Sequence, residues 1–351
     1  MDPIARLGLS VPLIQAPMAG TSTPALAAAV SNAGGLGSIA VGTLSPEDAA
    51  RDIAQLRSAT DRPFNVNLFV HAPSQPDPPR EAAWLKALAP IFAEFGASPP
   101  AALETIYPTL IGNPAMLALL VEFAPPVVSF HFGLPEVDAI AALKAAGCLL
   151  LSTATSLVEA EAARKAGIDA LVAQGWEAGG HRGVFDTGKP DDKLGTLALT
   201  QLLAARSGLP VFAAGGIMDG RGIRAVLDLG AVGAQLGTAF VACPETNADA
   251  AYRTALASEA ARHTVMIDAI SGRPARCLAN RFTAFAADPS LPSVAPYPRA
   301  YHVGKALNAA ARAKGEGGFG AQWAGQGAPL SRPMPAAKLV SLLAMELAAT
   351  R

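Results

Sequence analysis

Residues 148–174 read CLLLSTATSLVEAEAARKAGIDALVAQ, and this stretch shows the repeating unit of the chain. Two apolar runs, residues 148–152 and 170–174, flank an Ala-rich stretch of helical character at residues 157–166. Short runs that are apolar on both faces are typical of parallel strands covered by helices. The stretch therefore predicts one strand–helix–strand unit of an α/β protein.

The same alternation extends from residue 12 to residue 237. The predicted strands are residues 12–16, 35–40, 64–69, 127–130, 148–152, 170–174, 211–214 and 234–237. The predicted helices between them include residues 24–33, 46–58, 137–146, 157–166, 200–207 and 221–229. Eight such units predict a closed (β/α)8 TIM barrel, and an open doubly wound sheet is the alternative.

The chain is longer than a barrel needs, since barrels of this kind typically take about 250 residues. Residues 239–314 follow the last predicted strand and contain helical stretches at 248–261 and 301–313. We expect them to form a second, mainly helical lobe. The barrel then comprises residues 1–238 and 315–351, including a C-terminal helix at 334–347. A further helix is predicted at residues 80–95, inside the barrel part.

The composition indicates a large interior and argues against nucleic acid as a partner. Only 16% of the 351 residues are charged and 51% are apolar, whereas roughly 25% are charged in an ordinary soluble domain, so a large interior is expected. The 27 basic and 28 acidic side chains nearly cancel and form no basic cluster, which argues against nucleic-acid binding.

No membrane partner is predicted either. The longest charge-free stretch, residues 7–46, is broken repeatedly by Pro, Asn and Gly, so it cannot be one spanning helix. Residues 1–6 lack a basic region followed by an apolar core, and we expect a cytoplasmic protein. Cys148, Cys243 and Cys277 are too scattered for a disulfide framework or a zinc site, and are expected to be buried thiols.

The residues after each predicted strand should meet at one rim, where barrel active sites lie. Glycine pairs there usually only permit tight turns. Two glycine sites after the seventh and eighth strands, however, predict a backbone cradle for a phosphate, to which Thr238 adds a hydroxyl. The cradle residues are Gly215, Gly216, Gln235, Leu236, Gly237 and Thr238.

Polar residues after other strands indicate what the phosphate belongs to. Asn67 and Gln174 can each donate and accept hydrogen bonds, which suits the edge of a flat heterocycle. Together with the cradle they predict flavin mononucleotide (FMN), with Met18, Gly179 and Gly180 at the same rim. No acidic residue lies near the cradle to hold Mg²⁺, so no metal is predicted. The glycines at 34–37 precede their strand, which argues against a Rossmann turn.

His131 directly follows the fourth strand and should lie at the rim. A lone histidine on an apolar strand is often structural, but above a flavin it is the natural base for an acidic proton. For His71, His263 and His302, solvated or capping roles suffice.

Tyr297, Tyr301 and Lys305 are spaced by four residues, which puts them on one face if the segment is helical. They form either an ordinary amphipathic face, with the lysine stem packed along it, or a pocket for a small anion. Tyr107 is a further candidate for that pocket.

Four ordered motifs carry a family resemblance. They are IQAPMAG at residues 14–20, SFHFG at 129–133, QGWEAGGHRG at 174–183 and GTAF at 237–240. With these motifs the sequence resembles the class I nitronate monooxygenases, and the resemblance covers nearly the whole chain. The resemblance implies an FMN-dependent (β/α)8 TIM barrel with an inserted, mainly helical substrate-binding lobe. It also implies that the protein oxidises alkyl nitronates such as propionate 3-nitronate with O2, giving a carbonyl compound and nitrite without a nicotinamide.

The resemblance also implies roles for individual residues. His131 matches the catalytic histidine of the family. The positions that match FMN-binding residues are Asn67, Gln174, Gly179, Gly216 and 235–238, and those that match substrate-side residues are Tyr107, Tyr297, Tyr301 and Lys305.

Two rival functions remain open. A flavin barrel of this kind could be an NAD(P)H-dependent reductase of quinones or enoyl thioesters, or a non-catalytic flavin- or phosphate-binding protein. The sequence also leaves open whether the chain is a monomer or a homodimer.

Overall fold

The computed structural model describes residues 3–350, and most of this range forms a barrel of parallel strands surrounded by helices. Residues 1 and 2, on which the export-signal interpretation partly rests, lie outside the described residues, as does residue 351. The barrel strands are Leu13–Gln15, Gly37–Ala40, Phe64–Phe69, Val127–His131, Leu149–Ala154, Ala170–Gln174, Val211–Ala214 and Gly233–Leu236.

The sheet closes on itself. Each strand from the second to the seventh pairs in parallel with the next barrel strand along the chain, and the first pairs with the eighth, with Leu13 opposite Ala234. A parallel bridge between Ile14 and Leu36 joins the first strand to the start of the second. The (β/α)8 barrel is therefore confirmed, and the open-sheet alternative is wrong.

Helices cover the outside of the barrel. They are Pro24–Asn32, Pro46–Ala59, Pro114–Phe123, Val137–Ala145, Leu157–Ala166, Thr196–Arg206, Gly220–Asp228 and the C-terminal Ala336–Ala349. The helix Pro114–Phe123 was not among the predicted helices, although Asn113 caps it by accepting from Met116 N–H at 3.0 Å. Thr196–Arg206 begins earlier than predicted because a distant carboxylate, that of Glu177, accepts the Thr196 N–H at 2.8 Å.

The amino end of the barrel is a packed core and its carboxyl end holds a cavity. Side chains of Ile14, Leu36, Leu151 and Phe212 fill the amino end, against which the short helix Pro3–Leu7 packs. Within residues 3–350, no helix is long and apolar enough to cross a membrane. All three cysteines are buried, as predicted.

The lobe beside the cavity contains both helices and a small sheet. Its helices are Ala250–Leu256, Arg281–Ala286 and Arg299–Arg312, and Pro78–Glu94 from the barrel part packs against the last of these. Strands Thr264–Ile267 and Ala275–Leu278 form an antiparallel sheet with the two-residue strand Gly180–His181. This sheet was not foreseen, because it joins segments that are distant along the chain. Phe319, which lies beyond the predicted lobe limit at residue 314, is buried in the same apolar cluster as Val303 of the lobe. The lobe limits at residues 239 and 314 stay predictions.

Candidate active site

Most of the predicted site residues line one cavity at the carboxyl ends of the barrel strands. They are Met18, Asn67, Tyr107, His131, Gln174, Gly179, Gly180, Gly215, Gly216, Gln235, Gly237, Thr238 and Tyr301. The barrel topology explains this convergence, because parallel strands bring all their carboxyl ends to the same rim.

Three predicted residues do not line the cavity. Leu236 is 1% exposed and packs in the apolar layer between strand and helices. Tyr297 is buried among Phe69 and Phe132, and its hydroxyl has no partner among the described residues. Lys305 is exposed, and its ammonium donates to the Tyr107 hydroxyl at 3.2 Å.

His131 ends the fourth strand and contacts two neighbouring strand ends. Its Nδ1 lies 2.9 Å from Thr153 Oγ1, and its Nε2 lies 3.2 Å from the carbonyl oxygen of His181. Burial, which disfavours the charged ring, lowers the pKa of His131 to about 4. The imidazole is therefore neutral at neutral pH and keeps one nitrogen lone pair.

Two further histidines surround this ring. Burial, and then the nearby His131, lower the pKa of His181 to about 3, and its Nε2 lies 2.9 Å from Ser271 Oγ. His71 is 3% exposed, and neither ring nitrogen has a partner among the described residues, so the expected solvated or capping role is wrong. It packs edge-on against Tyr297, with ring centroids 4.9 Å apart, because the lobe covers the end of its strand.

The Gln174 amide braces the loop that follows the sixth strand. Its Nε2 donates to the His181 carbonyl at 2.9 Å, and its Oε1 accepts the Gly183 N–H at 2.7 Å. Arg182, fully buried, makes two hydrogen bonds to Asp191 at 2.8 and 2.9 Å. Because these contacts fix both ends of the loop segment 180–183, they hold His181 at the rim.

The glycine cradle has the geometry that its residue type requires. Gly215 and Gly216 adopt φ values of +126° and +69°, which L side chains rarely adopt. A Cβ on Gly237 would meet only two atoms within 4 Å, Ala16 Cβ at 3.4 Å and Met18 Sδ at 3.9 Å, and both residues line the cavity. The backbone therefore faces open cavity space at Gly237.

The cradle also offers free donors. Among the described residues, the backbone N–H groups of Gly216, Gly237 and Thr238 have no protein acceptor. The Thr238 hydroxyl accepts from Gly325 N–H at 2.9 Å, which leaves its own proton available. Convergent backbone donors of this kind suit an anion such as a phosphate. In residues 3–350, no group of three or more His, Cys, Asp or Glu side chains is placed to hold a metal ion.

Two tyrosines form the lobe side of the cavity. Tyr107 and Tyr301 contact each other edge to face, with ring centroids 5.3 Å apart. Burial raises the pKa of Tyr107 to about 12 and also raises the pKa of Tyr301. Both phenols therefore stay protonated at neutral pH and can donate hydrogen bonds to an anion.

The sequence analysis missed several lining residues, including Thr153, Tyr252 and Trp323. Thr153 could have been predicted, because it follows the predicted fifth strand directly and, two residues after Leu151, points to the same inward face. Trp323 had no local signal. It lies in an irregular segment, and a single bridge to Cys277 brings it to the site.

Comparison with known proteins identifies the family. The model for a family described as nitronate monooxygenase matches residues 4–346. The nitronate monooxygenase of Paraburkholderia phytofirmans is 60% identical over 341 residues, which cover 97% of this chain and 93% of that protein. The nitronate monooxygenase of Pseudomonas aeruginosa is 56% identical over 341 residues, which cover 97% of each.

Solved structures agree with the fold. Nitroalkane oxidase from Streptomyces ansochromogenes matches with a TM-score of 0.90 and 41% identity, over 98% of this chain and 97% of that chain. FabK from Thermotoga maritima matches with a TM-score of 0.76 and 29% identity, over 99% of this chain and 96% of that chain. The family model spans nearly the whole chain, and both curated relatives are enzymes. The chain therefore belongs to the nitronate monooxygenase family of oxidoreductases.

Proposed function

We propose that this protein is an FMN-dependent nitronate monooxygenase, which oxidises alkyl nitronates such as propionate 3-nitronate with O2 to a carbonyl compound and nitrite. One observation carries the proposal: a single cavity contains both a neutral histidine, His131, and a glycine cradle at Gly216 and Gly237. The relatives named nitronate monooxygenase support it.

The donor set of the cavity fits FMN. The unpartnered N–H groups at Gly216, Gly237 and Thr238 suit the phosphate. The Asn67 amide nitrogen donates to Ser129, and within residues 3–350 its Oδ1 has no hydrogen-bond partner. Gln235 adds a second amide to the lining, so both residues suit the polar edge of a flat ring. Bound FMN would supply the capacity to take electrons from the substrate.

His131 would act on the substrate itself. Because its ring is neutral, it can remove the α proton from a neutral nitroalkane, and the electron pair of the C–H bond then stays on the substrate as the nitronate. A nitronate supplied as such needs no deprotonation, and His131 would only orient it.

Tyr107, Tyr301 and Lys305 would form the anion side. The protonated phenols can donate to a nitronate or carboxylate oxygen, and the Lys305 ammonium, bound to the Tyr107 hydroxyl, adds positive charge behind that donor. Tyr297 would support this wall through its ring, which packs edge-on against His181 with centroids 5.7 Å apart.

Anaerobic mixing of the purified protein with propionate 3-nitronate, and separately with NADH, tests the proposal. We expect the protein to release FMN on denaturation, and the bound flavin to be reduced by the nitronate and not by NADH. Reduction by NADH alone would identify the reductase alternative, and reduction by neither would identify a flavin-binding protein. A cytoplasmic location and the choice between monomer and homodimer stay predictions.

A further inference from the structure

The register of two neighbouring strands places one hydroxyl against His131. In the parallel pair of the fourth and fifth strands, Ser129 lies opposite Leu151. Two residues further along each strand, on the same inward face, His131 comes to lie beside Thr153, with Nδ1 2.9 Å from Oγ1. Both residues line the cavity.

Gly183 closes over this pair. A Cβ on Gly183 would lie 2.5 Å from Thr153 Cγ2 and 2.9 Å from His131 Cε1. These separations are too short for a real Cβ, so the loop backbone packs directly against both side chains. The contact between Thr153 and His131 is therefore enclosed, and neither side chain can turn freely toward the loop.

The hydrogen bonds of His131 determine which ring nitrogen carries the proton. The His181 carbonyl can only accept, so Nε2 at 3.2 Å must carry a hydrogen to bond to it. A neutral imidazole has one N–H group. Nδ1 therefore holds the lone pair, and the Thr153 hydroxyl donates to it.

We propose that Thr153 is a positioning residue for His131: its hydroxyl donates to Nδ1 and so holds the ring as its Nε2–H tautomer, and it must turn its hydrogen away from Nδ1 before that nitrogen can take a proton. The role of His131 as a base rests on the proposed function, whereas the tautomer does not. Thr153 Oγ1 is the only side-chain atom among the described residues that is hydrogen-bonded to this ring.

A hydroxyl is suited to a ring that gains and loses a proton. It donates to Nδ1 when the ring is neutral, and by rotating its O–H it accepts from Nδ1–H when the ring is protonated. Besides burial, the His181 backbone carbonyl raises the pKa of His131 while the charged Arg273 and Arg182 lower it, and the His181 ring is the titratable neighbour; none of these groups is a carboxylate that could stabilise an imidazolium. Thr153 would therefore provide a side-chain contact that persists in both states, beside the Nε2–H bond to the His181 carbonyl.

The test compares Thr153→Val, which keeps the shape and removes the hydroxyl, with Thr153→Ser, which keeps the hydroxyl. Ser152→Ala is the matched control, because it removes a buried hydroxyl from the opposite face of the same strand. The first readout is nitrogen-15 NMR of histidine-labelled, FMN-loaded protein, with the His131 signals assigned by their loss in His131→Asn.

We expect the Nε2–H tautomer in the wild type, Thr153→Ser and Ser152→Ala, and a mixture of tautomers in Thr153→Val. Finding Nδ1–H in the wild type would overturn the proposal without any variant. An unchanged tautomer in folded Thr153→Val would overturn it as well.

The second readout is activity. Loss of one neutral hydrogen bond, worth about 0.5–1.5 kcal/mol, should lower kcat/KM of Thr153→Val on a neutral nitroalkane about 2- to 13-fold, with nitronate oxidation nearly unchanged and Thr153→Ser close to the wild type. An equal loss on both substrates would show a merely structural role. If the wild type oxidises neither substrate, the proposed function fails, while the NMR result still decides the tautomer.

Discussion

Gly237→Ala tests whether the glycine cradle holds the FMN phosphate. The added Cβ would lie 3.4 Å from Ala16 Cβ and 3.9 Å from Met18 Sδ, which are ordinary van der Waals distances. Gly237 has φ −107°, a value open to alanine. The folded protein should therefore tolerate the change, with a stability effect within about 1 kcal/mol of the wild type.

The effect on FMN should be much larger. The Cβ occupies space in which a phosphate would approach the N–H groups of Gly237 and Thr238, so we expect the loss of one charge-assisted hydrogen bond. Such a bond contributes about 1.5–3 kcal/mol, which corresponds to an FMN Kd raised about 13- to 160-fold. Quenching of flavin fluorescence during titration of the FMN-free protein measures this Kd, and thermal unfolding of the same preparation measures stability.

Gly320→Ala is the matched control. A Cβ there would also meet only ordinary contacts, the nearest being Asn308 Oδ1 at 3.5 Å, and Gly320 does not line the cavity. It should leave both the FMN Kd and the stability close to the wild type. An unchanged FMN Kd in stable Gly237→Ala would refute the cradle, and an equal weakening by both substitutions would show that the effect is not local.

Three further predictions concern the histidines and the anion wall. His131→Asn should lower kcat/KM on neutral nitroalkanes by about 10²- to 10⁴-fold and affect a supplied nitronate less, whereas equal loss on both would show that His131 binds or orients rather than acts as a base. Lys305→Met should raise the KM for a carboxylate-bearing nitronate by up to about 5-fold, because Lys305 is exposed and acts through the Tyr107 hydroxyl, and exposed charges contribute at most about 1 kcal/mol. It should leave the KM for a plain alkyl nitronate unchanged, and no change in either would return the helix to an ordinary amphipathic face. The folded-state pKa values are about 4 for His71 and His131 and about 3 for His181, below the unfolded value of about 6.5. The unfolded chain therefore binds more protons than the folded chain below about pH 6.5. The free energy of unfolding should fall as pH falls from about 6.5 to 4, by up to about 1.4 kcal/mol per pH unit for each histidine. Urea unfolding at several pH values measures this, and a stability that does not change between pH 7 and 5 would contradict the burial of neutral histidines.

Local patterns in the sequence were sufficient to predict the barrel and most of its rim. Runs such as 64–69, 170–174 and 211–214 coincide with observed strands, because a parallel strand buried on both faces is apolar throughout. The topology then places every carboxyl end at one rim, so residues that are far apart in the chain, such as Asn67 and Thr238, could be assigned to one site before any distance was known.

Only the tertiary structure decided how the lobe completes the site. The strand Gly180–His181 pairs with Ala275–Leu278, and Trp323 reaches the cavity through its bridge to Cys277. His71 is buried because the lobe covers it, and the proline-rich stretch that follows it at residues 73–79 gave no sign of this. The contact between Thr153 and His131 depends on the register between two strands. Periodicity reports which face of an element is apolar, whereas register and packing depend on the partner that each face meets, and that partner lies elsewhere in the chain.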